Sequence, residues 1–578
     1  MIVVVSFVLL TVLVGAVTYY FVRDDEYKTV DSFFLAGREL HWSVVTGSLM
    51  LTNLSAMHLV STNGVAYREG LVAAGWEVLS AIACALTAVH FLPKYWAANV
   101  ATTPEYMKKR FDHLTHTIMC TCFLVCGALQ EMPAAVYTGA VAFDQIFGLQ
   151  ELIGWEGTWG KFAVLSATIW FTGLVGAVYA VVGGLKAVAI SDTINGIGMF
   201  IGGLSVPVLG LSYIGNGSVF EGASILYSSN TDKFNMVGGD DSTIPYPSIF
   251  LGMPVIQMFY WCMFQVIMQR MLAAKSLRHA QKGVVIAGFL KVLVPWIIVF
   301  PGIIAFHILG EEGVILKDNT DEAYPRLMKK VLPEWSMGIY AAVIIGAVLS
   351  TFNSNLNTIA QMVTLDIYKV WINRTASEEK LFKVARNVGI TVGILALTVA
   401  PFFMFTKAAY SFLMSITGLW NAPVVAVYLC GTTDFTLCGK RFSFNHCRPR
   451  AAHICSAVSA VVFLLFRFIL PAISPEATLH SLYVTGLATA SGIFSMIVHG
   501  QFWPLEESQV QAMLDRVQMS RIVDGSKEIL YMEMKEVGPP EDRGSNDDDE
   551  DYDAPWKWVK QGSLFITFFA ILQYVIFH

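Results

Sequence analysis

Charge is what this chain is short of. Asp, Glu, Lys and Arg make up 14% of its 578 residues, where a water-soluble domain carries roughly 25%. Too few polar side chains remain to cover a surface facing water, and 55% of the residues are hydrophobic, with a mean hydropathy of +0.56. A concentrated basic patch is also missing: the net charge is −6, which argues against nucleic acid as a partner. The nine cysteines are scattered, mostly inside apolar runs, where a thiol behaves as a small hydrophobe. The tighter group Cys438, His446, Cys447, His453 and Cys455 fits no zinc spacing. The chain has no G-x-x-x-x-G-K-S/T phosphate loop, H-E-x-x-H pair or nucleophile elbow. Nothing therefore points to ATP-driven work or to an enzyme.

Long apolar runs are abundant instead. Roughly 20 apolar residues cross a ~30 Å hydrocarbon core, and on that measure the sequence predicts about 14 spans in an all-α polytopic membrane protein. Residues 1–22 lack a basic leader and a small-residue cleavage site, and read as a retained first helix. Lys and Arg in short loops set orientation. Arg23, Lys94, Lys108, Arg270, Lys275, Arg374, Lys380 and Arg448 fall on one side, which is then cytoplasmic. An even span count puts both termini outside. Lys317, Arg326, Lys329 and Lys330 stand against this, in a longer loop where the rule weakens. Residues 500–561 form a polar linker with an acidic run at 547–553, expected to be solvated, before a last helix over 562–578.

Ionisable side chains inside spans are costly and usually functional. Glu77 lies in GWEVLSA with Ser80 one turn later; Asn53, Ser55 and His58 lie in SLMLTNLSAMHLV. Lys291 lies in GFLKVLVP, close to the expected cytoplasmic start of its helix; Asp192 interrupts AVAISDTIN; Gln257, Tyr260, Trp261 and Gln265 fill the middle of another span. Each has a plainer reading: a packed histidine, a snorkelling lysine, or Glu77 and Lys291 neutralising one another. Together, however, a carboxylate, an imidazole, amides and an ammonium beside Tyr and Trp match a polyhydroxylated solute, which needs hydrogen bonds and an aromatic face. Ser350 and Thr351 in GAVLSTFNSNLN are either bonded to the preceding turn or hard oxygen donors for Na⁺ beside an unwound helix.

Nine stretches in order, DSFFLAGREL, TNLSAMHLVSTNGVAYREGL, GWEVLSA, TTPEYMKKRF, GGLKAVAISDTIN, FYWCMFQVIMQRMLAAKS, AQKGVVIAGFLKVLVP, DEAYPRLMKKVLP and STFNSNLNTIAQMVTLDIYK, resemble the solute:sodium symporter family, in its sodium–galactose/glucose cotransporter branch. The resemblance covers roughly 31–431 and implies a LeuT-like core of five plus five helices in inverted repeat. The repeats would be 41–214 and 245–431, with two peripheral helices over 432–499. It implies sugar contacts at Asn53, His58, Glu77, Ser80, Gln257, Tyr260 (the aromatic gate, with Trp261 beside it) and Lys291. It implies sodium held by the carbonyls of Leu51, Leu54 and Ala347 and the hydroxyls of Ser350 and Thr351, with Asp192 on the ion's route. One position departs: Met414 stands where the branch has a sugar-binding Gln, and a thioether cannot replace an amide's donors.

The expected function is sodium-coupled import of a neutral sugar or polyol by alternating access, with sodium as co-transported ion and the lipid bilayer and a small solute as partners. A plasma membrane is the expected location, and no obligate protein partner is evident. The alternatives are a symporter for an amino acid, a monocarboxylate or a choline-like cation, and a sensor that binds solute without concentrating it. Holding both Glu77 and Lys291 favours a neutral solute, since either charge alone would be matched by the opposite one.

Overall fold

The computed structural model describes residues 2–23, 29–55, 58–155, 157–314, 316, 320–405, 415–433, 435–437, 440–442, 444–518 and 554–577. Met414, Cys438 and the acidic run at 547–553 lie outside them. Among the described residues a short hairpin, Phe435–Leu437 paired antiparallel with Lys440–Phe442, accompanies a structure that is otherwise helical. The protein is a multi-pass membrane protein. Its first helix, Ile2–Val22, shows why: it exposes Val5, Leu9, Val12 and Leu13 on a face that only lipid can cover.

Among the described residues eleven helices are long and apolar enough to cross a membrane, or 12 with Leu277–Leu293 and Pro295–Glu311 counted as one span bent by 43°. The expectation of about 14 is not met by length alone, and the shortfall has a physical origin. Trp42–Asn53 stops after 12 residues, because the span it begins is broken in mid-membrane. Gly418–Thr432 has 15, next to residues outside the described set. Gly157–Ile214 runs on as one helical stretch of 58 residues but turns back at Gly184, giving the spans Gly157–Ala177 and Gly183–Ile214. Gly184 has φ +56°, and a Cβ there would stand 2.7 Å from the Phe33 carbonyl oxygen, so only glycine fits.

Among the described residues two spans are interrupted by non-helical backbone. The first ends at Asn53. Ser55 N–H turns to the Asn53 carbonyl (2.9 Å) and not back to Leu51, and the chain starts again with Ser55 as cap, its Oγ accepting from His58 N–H at 3.3 Å. The second runs Gly252–Met258, widens into the π turn Phe259–Met263, breaks at Phe264 (ψ 121°) and resumes as Gln265–Leu272. Within a membrane such breaks persist only where the freed backbone groups line a cavity or meet protein partners. The long helix Glu334–Met362, buried along most of its length, packs against the first broken helix and Gly183–Ile214.

Three placements differ from the sequence expectation. The helix carrying Lys291 starts at Leu277, not near 284, so Lys291 sits in its last turn at the mid-span bend and is fully buried. That removes the snorkelling reading. Arg270, counted above among cytoplasmic loop charges, is 0% exposed inside the core. Within the polar stretch after 500, Glu507–Gln518 is helical, with Val510 and Met513 buried, and the last helix begins at Ala554.

Candidate solute and ion site

Lys291 Nζ donates to both the Glu77 carboxylate and Asn53 Oδ1. All three are buried, Glu77 at 2% and Asn53 at 6% exposure. Neither charge would be tolerated alone in the hydrocarbon, so the pair makes the site neutral while leaving its remaining donors and acceptors for a guest. The Tyr260 side chain neighbours Asn53, so the line Glu77–Lys291–Asn53 leads towards the Tyr260 ring. Asn53 is the last residue of the first half-helix and Tyr260 lies in the π turn of the second broken helix. Both breaks therefore feed one site.

The other expected contacts gather around this line. Ser80 Oγ donates to the Glu77 carbonyl one turn back, fixing the start of the helix that carries the carboxylate. Gln257 Nε2 donates to the Trp76 carbonyl at 2.8 Å, so its amide oxygen is the group left for a solute. His58 Nδ1 lies 3.1 Å from Ser55 Oγ at the restart of the first broken helix. Trp261 is fully buried behind Tyr260, ring centroids 5.7 Å apart, with Lys291 Nζ 5.6 Å from its ring; it supports the aromatic wall from inside.

The expected ion residues also converge. Thr351 Oγ1 is 3.2 Å from the Ala347 carbonyl and 3.4 Å from that of Thr52, and Ser350 Oγ is 3.4 Å from Thr52 Oγ1. These contacts join the end of Trp42–Asn53 to Glu334–Met362. The Leu51 carbonyl, passed over by Ser55, and that of Leu54 at the break lie one and two residues along the chain from Thr52, which meets both hydroxyls. A set of hydroxyl and carbonyl oxygens with no carboxylate suits a monovalent hard cation.

Below it lies a cluster that sequence reading found only in part. Asp192 accepts from Ser48 Oγ (2.6 Å) and Thr52 Oγ1 (3.4 Å), and its side chain is within reach of Ser350. Arg270 Nη2 is 3.5 Å from the same carboxylate, Nε donates to Ser48 Oγ at 2.7 Å, and Nη2 also donates to Ser354. Asp192 was expected on the ion's route; Arg270 was missed. At the end of an apolar run an arginine looks like a loop charge, and the only hint was its place in the same helix as Tyr260. In the Cys/His group, His453 Nε2 is 3.1 Å from Asp112 Oδ1, and among the described residues no cluster has metal-binding geometry.

The profile of the sodium:solute symporter family matches residues 33–433. The uncharacterized symporter YidK of Escherichia coli strain K12 is 35% identical over 506 residues, covering 87% of this chain and 84% of YidK. A sodium/glucose cotransporter of Vibrio parahaemolyticus is 32% identical over 423 residues, covering 70% and 75%. The human sodium/myo-inositol cotransporter is 26% identical over 536 residues, covering 84% and 71%. A substrate-bound, outward-open Na⁺-coupled sialic acid symporter superimposes with a TM-score of 0.71 at 18% identity, covering 88% of this chain and 99% of that one. The fold is thus that of LeuT-like transporters.

Proposed function

Because the chain belongs to the sodium:solute symporter family, and is a sodium-coupled symporter and not an enzyme, we propose that its solute is a neutral sugar or polyol, imported across the plasma membrane with both termini outside. The observation that carries this reading is the Lys291–Glu77 pair bridged to Asn53. It cancels its own charge, offers donors and acceptors to hydroxyls, and adjoins the Tyr260 ring. The relatives named for glucose and myo-inositol support the same class.

In this reading Na⁺ binds the Leu51, Leu54 and Ala347 carbonyls and the Ser350 and Thr351 hydroxyls. It pins the first half-helix to Glu334–Met362 and so fixes Asn53, whose side chain faces the solute while its backbone neighbours face the ion. Solute binding then closes the outer side, and Tyr260 moves before inward release. Asp192, held by Arg270, receives the ion as it leaves. The ion shifts the balance of states only by its different affinity for each. One charge falling through ~100 mV supplies about 2.3 kcal/mol, and a tenfold Na⁺ gradient about 1.4 kcal/mol. Together these support roughly 500-fold accumulation per ion.

The test is uptake into proteoliposomes under an inward Na⁺ gradient, with labelled sugars, inositols, amino acids, lactate and choline. Sodium-dependent accumulation confined to a sugar or inositol is expected. Accumulation confined to an amino acid, lactate or choline would keep the ion site and reject the solute assignment. Solute binding with no accumulation of any compound would indicate a sensor.

A further inference from the structure

Both members of the Lys291–Glu77 pair are carried on helix ends. Lys291 sits where its helix gives way: Pro295 has no N–H to return to the Lys291 carbonyl, and the amides of Ile297 and Ile298 both turn to the Val294 carbonyl, at 2.8 and 3.1 Å. Leu277–Leu293 and Pro295–Glu311 meet at this point at 43°. Glu77 lies in the first turn of Gly75–Leu86, directly after the 3₁₀ turn Gly70–Ala74. At such places a helix's own hydrogen bonds constrain the backbone least, and contacts from outside the helix decide where it rests.

The last helix, Ala554–Ile576, packs against both of these helices. A Cβ on Gly288, one turn before Lys291, would stand 2.9 Å from Cys84 Cβ and 3.3 Å from Ile566 Cδ1, so the three helices touch there. Further along, two neighbouring side chains of the last helix go separate ways. Gln573 Nε2 donates to the Val292 carbonyl at 3.2 Å, one residue past Lys291 and at the bend. The Tyr574 hydroxyl oxygen is 2.6 Å from where a Cβ on Gly75 would stand, two residues ahead of Glu77, and its ring packs on the cluster of Val72, Ile244 and Met253. Each contact is made on main chain, at the bend under Lys291 and at the start of the helix under Glu77. Lys291 Nζ has to meet the Glu77 carboxylate and Asn53 Oδ1 together, so a small shift of either helix is felt by the pair at once.

We propose that Gln573 and Tyr574 are positioning residues for solute recognition: Gln573 fixes the bend that carries Lys291, Tyr574 fixes the start of the Glu77 helix, and the last helix thereby sets the spacing of the pair. This rests on the reading of Lys291 and Glu77 as partners of the solute, and deepens it. Affinity then depends on preorganisation supplied by two adjacent residues at the far end of the chain.

The experiment measures sodium-driven uptake by the full chain in proteoliposomes, with whichever labelled compound of the panel above the wild type accumulates, and sodium binding to the purified protein without solute. Gln573→Met keeps the length of the side chain and removes the donor. KM for the solute should rise about threefold to tenfold, the worth of one hydrogen bond, with kcat and sodium binding unchanged. Gly75→Ala drives a methyl group into the Tyr574 hydroxyl and should raise KM about tenfold. Tyr574→Phe removes the obstructing atom, so the double variant should return to within about twofold of the wild type. Phe565→Leu, at a half-exposed position of the same helix against Phe289, is the control and should keep KM within about twofold. A merely structural role would instead lower kcat, sodium binding and unfolding temperature together. That pattern, an unchanged KM in Gln573→Met, or a Gly75→Ala defect that Tyr574→Phe does not relieve overturns the proposal. Where Gln573→Met does not fold, the Gly75→Ala and Tyr574→Phe pair decides. Glu77→Gln separates the proposal from the reading beneath it. An unchanged KM in Glu77→Gln rejects the charged pair as the solute's partner and the positioning role with it; a raised KM there, with Gln573→Met at the wild-type value, rejects the positioning role alone.

Discussion

Two buried ion pairs lie close to the broken helices, and they are built differently. Lys291–Glu77 is bridged by a single amide, Asn53, and faces an aromatic wall. Arg270–Asp192 is wrapped in hydroxyls from two helices, Ser48 and Thr52 on the first broken helix and Ser350 and Ser354 on Glu334–Met362. The first has few internal partners and so keeps capacity for a guest. The second is nearly saturated by the protein, which fits a latch holding helices together and a relay for an ion. On the proposed reading, recognition falls to one pair and coupling to the other, with Asn53 and Thr52, adjacent in sequence, as the link.

Breaking the saturated pair should have the largest effect. Arg270→Met leaves Asp192 buried without its cation and is expected to destabilise the fold by about 3–5 kcal/mol, seen as a large drop in thermal unfolding temperature with uptake abolished. Breaking the recognition pair should do less to the fold and more to the solute. Glu77→Gln leaves Lys291 under-compensated and is expected to weaken solute binding by about 30-fold or more, about 2 kcal/mol, while sodium binding measured without solute stays near wild type. A fall in both to the same degree would erase the distinction between the pairs.

Smaller changes sharpen it. Ser350→Ala removes one oxygen from the ion set and one partner of Asp192; the sodium concentration for half-maximal uptake should rise about tenfold, about 1.4 kcal/mol, with solute specificity unchanged. Far from both pairs, Asp112 caps His113–Val125 and accepts from Thr115 N–H and Oγ1, both at 2.8 Å, and from His453. Burial pushes its carboxyl up, but the hydrogen bonds outweigh this and hold it below the usual carboxylate value of 3.8. Because the folded value is depressed, its stabilisation is present above that value and is lost as the pH falls through the folded one. Asp112→Ala should therefore cost about 1 kcal/mol near neutrality, and the difference in unfolding temperature from wild type should shrink as the pH is taken below 3.8.

Much of the candidate site was legible because polar residues in apolar runs announce themselves: Asn53, Glu77, Tyr260 and Lys291 stand out from sequences that would otherwise be lipid-facing. Arg270 was not legible by that rule. Its position at a span end mimics a positive-inside charge, and only the packing of Gln265–Leu272 against Trp42–Asn53 and Glu334–Met362 takes it out of water. The span count fell short for a related reason: hydropathy measures length, and a broken helix such as Trp42–Asn53 is functional because it is short.

The most direct test of the link through Thr52 and Asn53 is solute affinity with and without Na⁺. It would be measured on the purified wild type and on Ser350→Ala, using whichever of galactose or myo-inositol is carried. Sodium should raise solute affinity by about tenfold or more in the wild type, with solute raising sodium affinity by the same factor, and the enhancement should collapse in Ser350→Ala. Solute affinity independent of sodium in the wild type would contradict the coupling assigned to these residues.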